Sequence, residues 1–115
     1  MAVVSNADGR VEWLLRERGL RDHFEFVIDS HVFGAEKPDP RIFRAATARL
    51  GLEPEVCLYV GDLYPVDVLG ARAAGLQAVL LDPWDQLDLD VDRIPSVAHL
   101  PDYLLAKRAR VSESP

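Results

Sequence analysis

Residues suited to phosphoryl chemistry stand at three separated places in the sequence: Ser5 with Asn6, Lys37, and Asp62 with Asp67. A lysine ammonium neutralises phosphoryl charge, and a hydroxyl with neighbouring backbone N–H groups donates to phosphoryl oxygens. Asp62 and Asp67, five residues apart, are hard oxygen ligands suited to Mg²⁺. Asp8 lies just beyond Ser5-Asn6 and could serve as a substitute nucleophile or base, though its simpler reading is the N-cap of the first helix. The bland alternative for the main set is an N-cap, a surface lysine and two helix-start acids. As a phosphate ligand, Lys37 should matter to anion binding and little to folding. His23, His31, His99 and Cys57 show no metal-ligand spacing.

These residues need elements to bring them together, and the apolar pattern supplies them. Ala2-Val3-Val4 is a short apolar run. Val11, Leu14 and Leu15 follow at helical spacing, closed by Gly19. Phe24–Ser30 reads as a strand. Asp39-Pro40 is a helix start, with Asp as N-cap and Pro at the first helical position. Phe43, Ala46 and Leu50 then share one face, and Gly51 ends the helix. Val56–Val60 is nearly continuous apolar sequence, as in a strand buried on both faces. Pro65 opens a short helix ended by Gly75, and Leu76–Leu81 is a fourth strand. The tail holds a short helix from Asp102 to about Arg110.

Strands alternating with helices imply a parallel sheet with right-handed crossovers. In such a sheet ligands bind beyond the carboxyl ends of the strands. Ser5-Asn6 ends the first strand, Gly61-Asp62 ends the third, and Lys37 follows the second, so the hydroxyl, the lysine and the carboxylate meet on one rim.

Composition narrows the function. The chain has 115 residues, one domain's length. With 13 basic and 19 acidic residues and a formal charge of −6, it lacks the basic footprint of a nucleic-acid binder. No apolar run suits a membrane span, and no secretory pattern opens the sequence. The single cysteine excludes an internal disulfide framework and fits a reducing cytoplasm, the expected location. Asp82–Asp92 holds five aspartates and no base, and reads as a solvated loop. Trp13 reads as packing or interface, and Trp84 as a loop anchor that could border the site.

The stretches VVSNADGRVEWLLRERGL, EKPDPRIF and VGDLYPVDVLGARAAGL resemble motifs II, III and IV of the haloacid dehalogenase-like (HAD) hydrolase superfamily, phosphatase-like branch. The likeness spans residues 3–82, leaving 83–115 as acidic loop and C-terminal helix of a single core domain, 1–115. The resemblance implies that Ser5, with Asn6 beside it, binds the phosphoryl group. It implies that Lys37 offsets the charge of nucleophile and phosphate, and that Asp62 and Asp67 hold Mg²⁺ directly or through water. Leu63 departs from the small polar residue often found after Gly-Asp.

The family's motif I, a strand ending in D-x-D that carries the nucleophile, has no counterpart here, and Asp88-Leu89-Asp90 follows no strand. The cap is missing too: the 30 residues between Asn6 and Lys37 are taken up by a helix, a strand and a loop. The chain therefore resembles the C-terminal half of a capped HAD hydrolase. The implied fold is a truncated Rossmannoid parallel sheet of about four strands, with flanking helices and the central strand missing.

The implied activity is Mg²⁺-dependent hydrolysis of a small phosphorylated metabolite by a non-standard mechanism, with Asp62, Lys37 and Asp8 as catalytic candidates. Asp8, Asp62 or a metal-activated water would replace the usual nucleophile. The alternatives are a non-catalytic oligomerising domain, or a fragment that needs its N-terminal half in trans. Two apolar edges, Ala2–Asn6 and Val56–Gly61, are left facing the missing strand, and such edges recruit partners. Either they pair with each other, or a second copy joins them in a homodimer or higher oligomer. Trp13 or the tail residues Val97, Leu100, Tyr103 and Leu104 would complete that contact.

Overall fold

The computed structural model describes residues 1–82 and 89–113, with side chains through 107. Trp84 therefore lies outside the described residues. The chain alternates strand and helix as the sequence implies: β1 (Val3–Ser5), α1 (Val11–Glu17), β2 (Val27–Asp29), α2 (Ser30–Phe33), α3 (Pro40–Leu50), β3 (Leu58–Gly61), α4 (Leu69–Ala73), β4 (Gln77–Leu81), β5 (Arg93–Ile94) and α5 (Leu100–Glu113).

Local signals explain the best-defined helix. Asp39 caps α3, its carboxylate accepting from the Arg41 N–H, and Pro40 takes the first turn. Gly51 closes it with φ of 71°, a left-handed conformation that glycine adopts without a Cβ penalty. The face that α3 turns inward carries Ile42 and Phe43, both fully buried. They form the core with Phe26, Ile28, Ala46, Cys57, Ala71, Ala74 and Leu76. Cys57 is thus a small core residue. At Gly70 on α4, a Cβ would stand 2.9 Å from the Phe43 ring and 3.0 Å from Pro38, so glycine permits the close approach of α4 to α3.

Several local expectations change. The strand expected over Phe24–Ser30 is only Val27–Asp29, because Arg21–His23 winds into a 3₁₀ turn and Ser30 opens α2. The helix expected at Pro65 begins as a π-helical turn, Tyr64–Val68, before α4. The strand β5 was not legible: two residues carry no alternation, and only pairing with β4 defines them. The acidic stretch after β4 is pinned at its ends. Asp82 is buried 3.4 Å from the Arg93 guanidinium, and the Tyr103 hydroxyl donates to Asp92.

Among the described residues all strand pairing is parallel, but it falls into two separate ladders, β1–β2 and β3–β4–β5. Among the described residues no ladder joins β1 to β3. The expectation that the two facing edges close the gap by pairing is therefore not met. One side chain reaches across instead: the Tyr59 hydroxyl, from β3, donates to the Val4 carbonyl of β1 at 3.2 Å. Trp13 is exposed on α1. Among the described residues no helix is long and apolar enough to cross a membrane.

Candidate active site

The carboxyl ends of β1 and β3 and the loop after α2 form one polar rim. A chain of hydrogen bonds runs through it. The Asn6 amide clamps the Lys37 main chain: its Oδ1 accepts from Lys37 N–H at 2.7 Å and its Nδ2 donates to the Lys37 carbonyl at 3.0 Å. The Lys37–Pro38 peptide is cis. The Lys37 ammonium donates to Asp67 Oδ1 at 2.7 Å and to the Tyr59 hydroxyl at 2.8 Å. The other Asp67 oxygen accepts from the N–H groups of Asp62 and Leu63, at 3.1 and 3.0 Å.

Asp67 thus shapes the turn that presents Asp62. Gly61 allows this, since a Cβ there would collide with the Asp67 carboxylate. Both Asp67 oxygens are engaged within the protein, whereas Asp62 is exposed and its carboxylate has no partner among the described residues. Ser5, half-buried at the end of β1, likewise keeps its hydroxyl without a partner among the described residues.

Electrostatics follow the geometry. Burial works against the Lys37 ammonium, but its bonds to Asp67 and Tyr59 outweigh that, so its pKa is raised above the ordinary lysine value. Burial raises the Tyr59 phenol, against the opposing pull of the Lys37 charge. Tyr59 is itself held edge-on against the Phe43 ring, centroids 5.1 Å apart.

The structure brings Asn6, Lys37, Asp62 and Asp67 together and places Ser5 at the same strand end as Asn6. Two sequence readings change. Asn6 positions the lysine backbone through Oδ1 and one Nδ2 hydrogen, which leaves the second Nδ2 hydrogen as a donor. Asp8 does not cap α1, whose N-cap is Arg10; it is exposed and paired with the Arg10 guanidinium at 3.1 Å.

Sequence reasoning missed three residues. The buried Asp29 carboxylate, at the end of β2, collects the N–H groups of Gly9, Val11 and His31. It does from another strand the capping work expected of Asp8. Ser30 fixes the same loop, its hydroxyl accepting from Ala7 N–H and donating to the Ala7 carbonyl. Tyr59 reads in sequence as one more apolar strand residue. No local signal marks these three, because their partners lie 18 to 55 residues away, His31 excepted.

Residues 1–75 match the family model described as haloacid dehalogenase-like hydrolase. The chain belongs to this family. It is 46% identical over 102 residues to the haloacid dehalogenase-like hydrolase domain-containing protein 3 of Mus musculus, covering 88% of this chain and 41% of that protein. It is 33% identical over 114 residues to the glyceraldehyde 3-phosphate phosphatase of Methanothermobacter thermautotrophicus, covering 90% of this chain and 50% of the relative. Among solved structures, a HAD phosphatase from Thermococcus onnurineus superposes with a TM-score of 0.83 at 30% identity, over 90% of this chain and 49% of that one. This HAD-like chain spans about half the length of the relatives it matches.

Proposed function

We propose that this chain forms the phosphate- and cation-holding part of a Mg²⁺-dependent phosphatase for small phosphomonoesters. The observation that carries the reading is the Lys37 ammonium, fixed at 2.7 Å from Asp67 on the rim where β1 ends in Ser5 and β3 leads into Asp62, two side chains without a partner among the described residues. Similarity to a glyceraldehyde 3-phosphate phosphatase and a HAD phosphatase supports the same substrate class.

Each group has one role. Lys37 offsets phosphoryl charge, and Ser5 Oγ–H donates to a phosphoryl oxygen. Asn6, Tyr59 and Asp67 aim the ammonium. Mg²⁺ is commonly held by one or two carboxylates plus substrate phosphate and water. Asp62, free and presented by the Asp67-bonded turn, fits that pattern. Asp67 fits as the builder of the turn, since its oxygens already serve Lys37 and two amides. The metal, when bound, would draw charge from the phosphoryl oxygens. Asp8, whose Oδ2 pairs with Arg10 on the exposed surface, keeps Oδ1 without a partner among the described residues and free to take a proton.

A second reading, phosphate binding without hydrolysis, is favoured by one observation. Among the described residues Asp62 alone of Asp8, Asp62 and Asp67 is without a partner, so a cation bound there leaves no second unpartnered carboxylate to attack. Hydrolysis of p-nitrophenyl phosphate, with and without Mg²⁺, in wild type and Asp62→Asn tests both. Mg²⁺-dependent turnover lost in the variant supports the phosphatase. Calorimetric phosphate binding with no turnover selects the second reading. Neither turnover nor binding refutes both.

A further inference from the structure

We infer that the outer edge of β2 docks an extended acidic peptide, independently of what the rim binds. The peptide adds as a strand and sets an apolar side chain and a carboxylate against α3.

The edge is open by topology. Among the described residues β2 has one strand neighbour, β1. In that parallel ladder Val3 lies opposite Val27, and the Val3 N–H donates to the Phe26 carbonyl. Phe26 and Ile28 therefore turn their main-chain groups toward β1, and Val27, between them, turns its N–H and carbonyl outward. A cleft of about 370 Å³ follows this edge, touching Val27, Ile28 and Asp29 in succession.

The walls of the cleft come from both faces of the strand. Glu12 of α1 lines one side, and Ala45 and Arg49 of α3 line the other. Asp29 bonds to the first N–H of α1, whereas Phe26 and Ile28 pack with Ile42 and Phe43 of α3. Successive strand residues point to opposite faces, so the two helices cover opposite faces and the cleft opens at the edge between them.

The chemistry of the walls selects the occupant. Val32, 77% exposed, and Phe33 present apolar surface to the cleft. Ala45 offers a single methyl, which leaves room for an incoming apolar group. Arg49 has no carboxylate partner among the described residues, and its guanidinium lies 4.4 Å from the centre of the Phe26 ring. The acids nearby are already engaged. Glu12 accepts from both Arg16 and Arg21, and the buried Asp29 carboxylate accepts three backbone N–H groups. The cleft thus presents one unanswered cation beside apolar surface, in a chain whose formal charge is −6.

Spacing joins the two features. Ala45 and Arg49 are four residues apart on α3, about 6 Å along its axis. Side chains two residues apart on one face of a strand are about 6.7 Å apart. The peptide therefore carries the pattern apolar–x–acidic: backbone pairing with Val27 supplies affinity and the two side chains supply specificity. A second copy of this chain fits worse. Antiparallel pairing of two β2 edges about a two-fold axis keeps like faces together, so the Arg49 walls of both copies would share one side, cation beside cation.

The probe is a synthetic library of short blocked peptides with threonine at alternate positions, one apolar residue, and the residue two places further on varied. It is selected against the isotopically labelled chain, and the best binder is followed by NMR and amide hydrogen exchange. Asp or Glu should be enriched at the varied position, and the binder should slow exchange at Val27 by about tenfold or more. Arg49→Glu should reverse the choice to Lys or Arg. Val32→Asp, at an exposed position, should keep the free spectrum folded and weaken the acidic binder by about tenfold. The site is overturned if no peptide is selected, if the varied position shows no acidic preference, or if Arg49→Glu leaves that preference unchanged. It is equally overturned if binding leaves Val27 exchange unaltered, or if the free chain already protects Val27 by self-association.

Discussion

The Lys37 ammonium lies 2.7 Å from the Asp67 carboxylate, with the two side chains only 11% and 3% exposed. This pair joins the loop after α2 to the turn after β3, and its burial changes what Lys37 is. The sequence reading treats it as a surface ligand with little effect on folding. Removing one partner of a buried ion pair instead leaves an uncompensated charge, at a cost of about 3–5 kcal/mol. Lys37→Met should therefore lower unfolding free energy by about 3 kcal/mol in urea titration. A variant as stable as wild type would show that Asp67 is satisfied by its two amides alone.

Stability should fall at alkaline pH. The folded-state pKa values of Lys37 and Tyr59 both lie above their ordinary values, near 10.4 and 10. A raised folded pKa means that the contribution is complete below the unfolded value and is lost as pH rises through the folded one. Thermal melts should show no loss from these groups between about pH 7 and 9, then a decline above about pH 10. Tyr59→Phe removes one titrating group and one bond to Lys37, so its decline should be shallower. An equal decline in both proteins would place the alkaline sensitivity elsewhere.

Gly61 should not tolerate a side chain. The Cβ of Gly61→Ala would run into the Asp67 carboxylate, which must move and release the amides of Asp62 and Leu63. Overpacking of this kind costs about 1–3 kcal/mol. Calorimetry should show weakened Mg²⁺ and phosphate binding together with a lower melting temperature. By contrast, Asp62→Asn should stay within about 0.5 kcal/mol of wild type, as expected for an exposed, unpartnered group. A stable Gly61→Ala protein with unchanged binding would count against the turn as the device that presents Asp62.

Asp29 should matter to the loop after β1 although it touches no proposed ligand. Asp29→Ala leaves the N–H groups of Gly9, Val11 and His31 without their acceptor. A buried group left unsatisfied costs about 1–3 kcal/mol, and solvent can reach part of this loop, so a loss of about 2–4 kcal/mol is expected. Amide exchange at Gly9 and Val11 should speed up well beyond that in the rest of α1. Unchanged exchange there would mean that Ser30 alone holds the loop.

The sequence by itself determined the alternation of strand and helix, the parallel α/β class, and the placing of Ser5, Lys37, Asp62 and Asp67 near strand ends. These are local matters. Asp39-Pro40 starts α3 and Gly51 stops it through neighbours within one turn, and apolar periodicity sets which face is buried. Tertiary structure decided what each polar residue does there. Asn6 meets the Lys37 backbone 31 residues away, Asp67 meets its ammonium across 30, and Tyr59 meets Val4 across 55. No local pattern encodes such meetings, because they depend on how far apart the two ladders stand. The two-residue β5 was hidden for the same reason, whereas the open edges of β1 and β3 were expected from the family resemblance. Pairing is a property of two segments, and a strand of two residues is visible only once its neighbour β4 is in place.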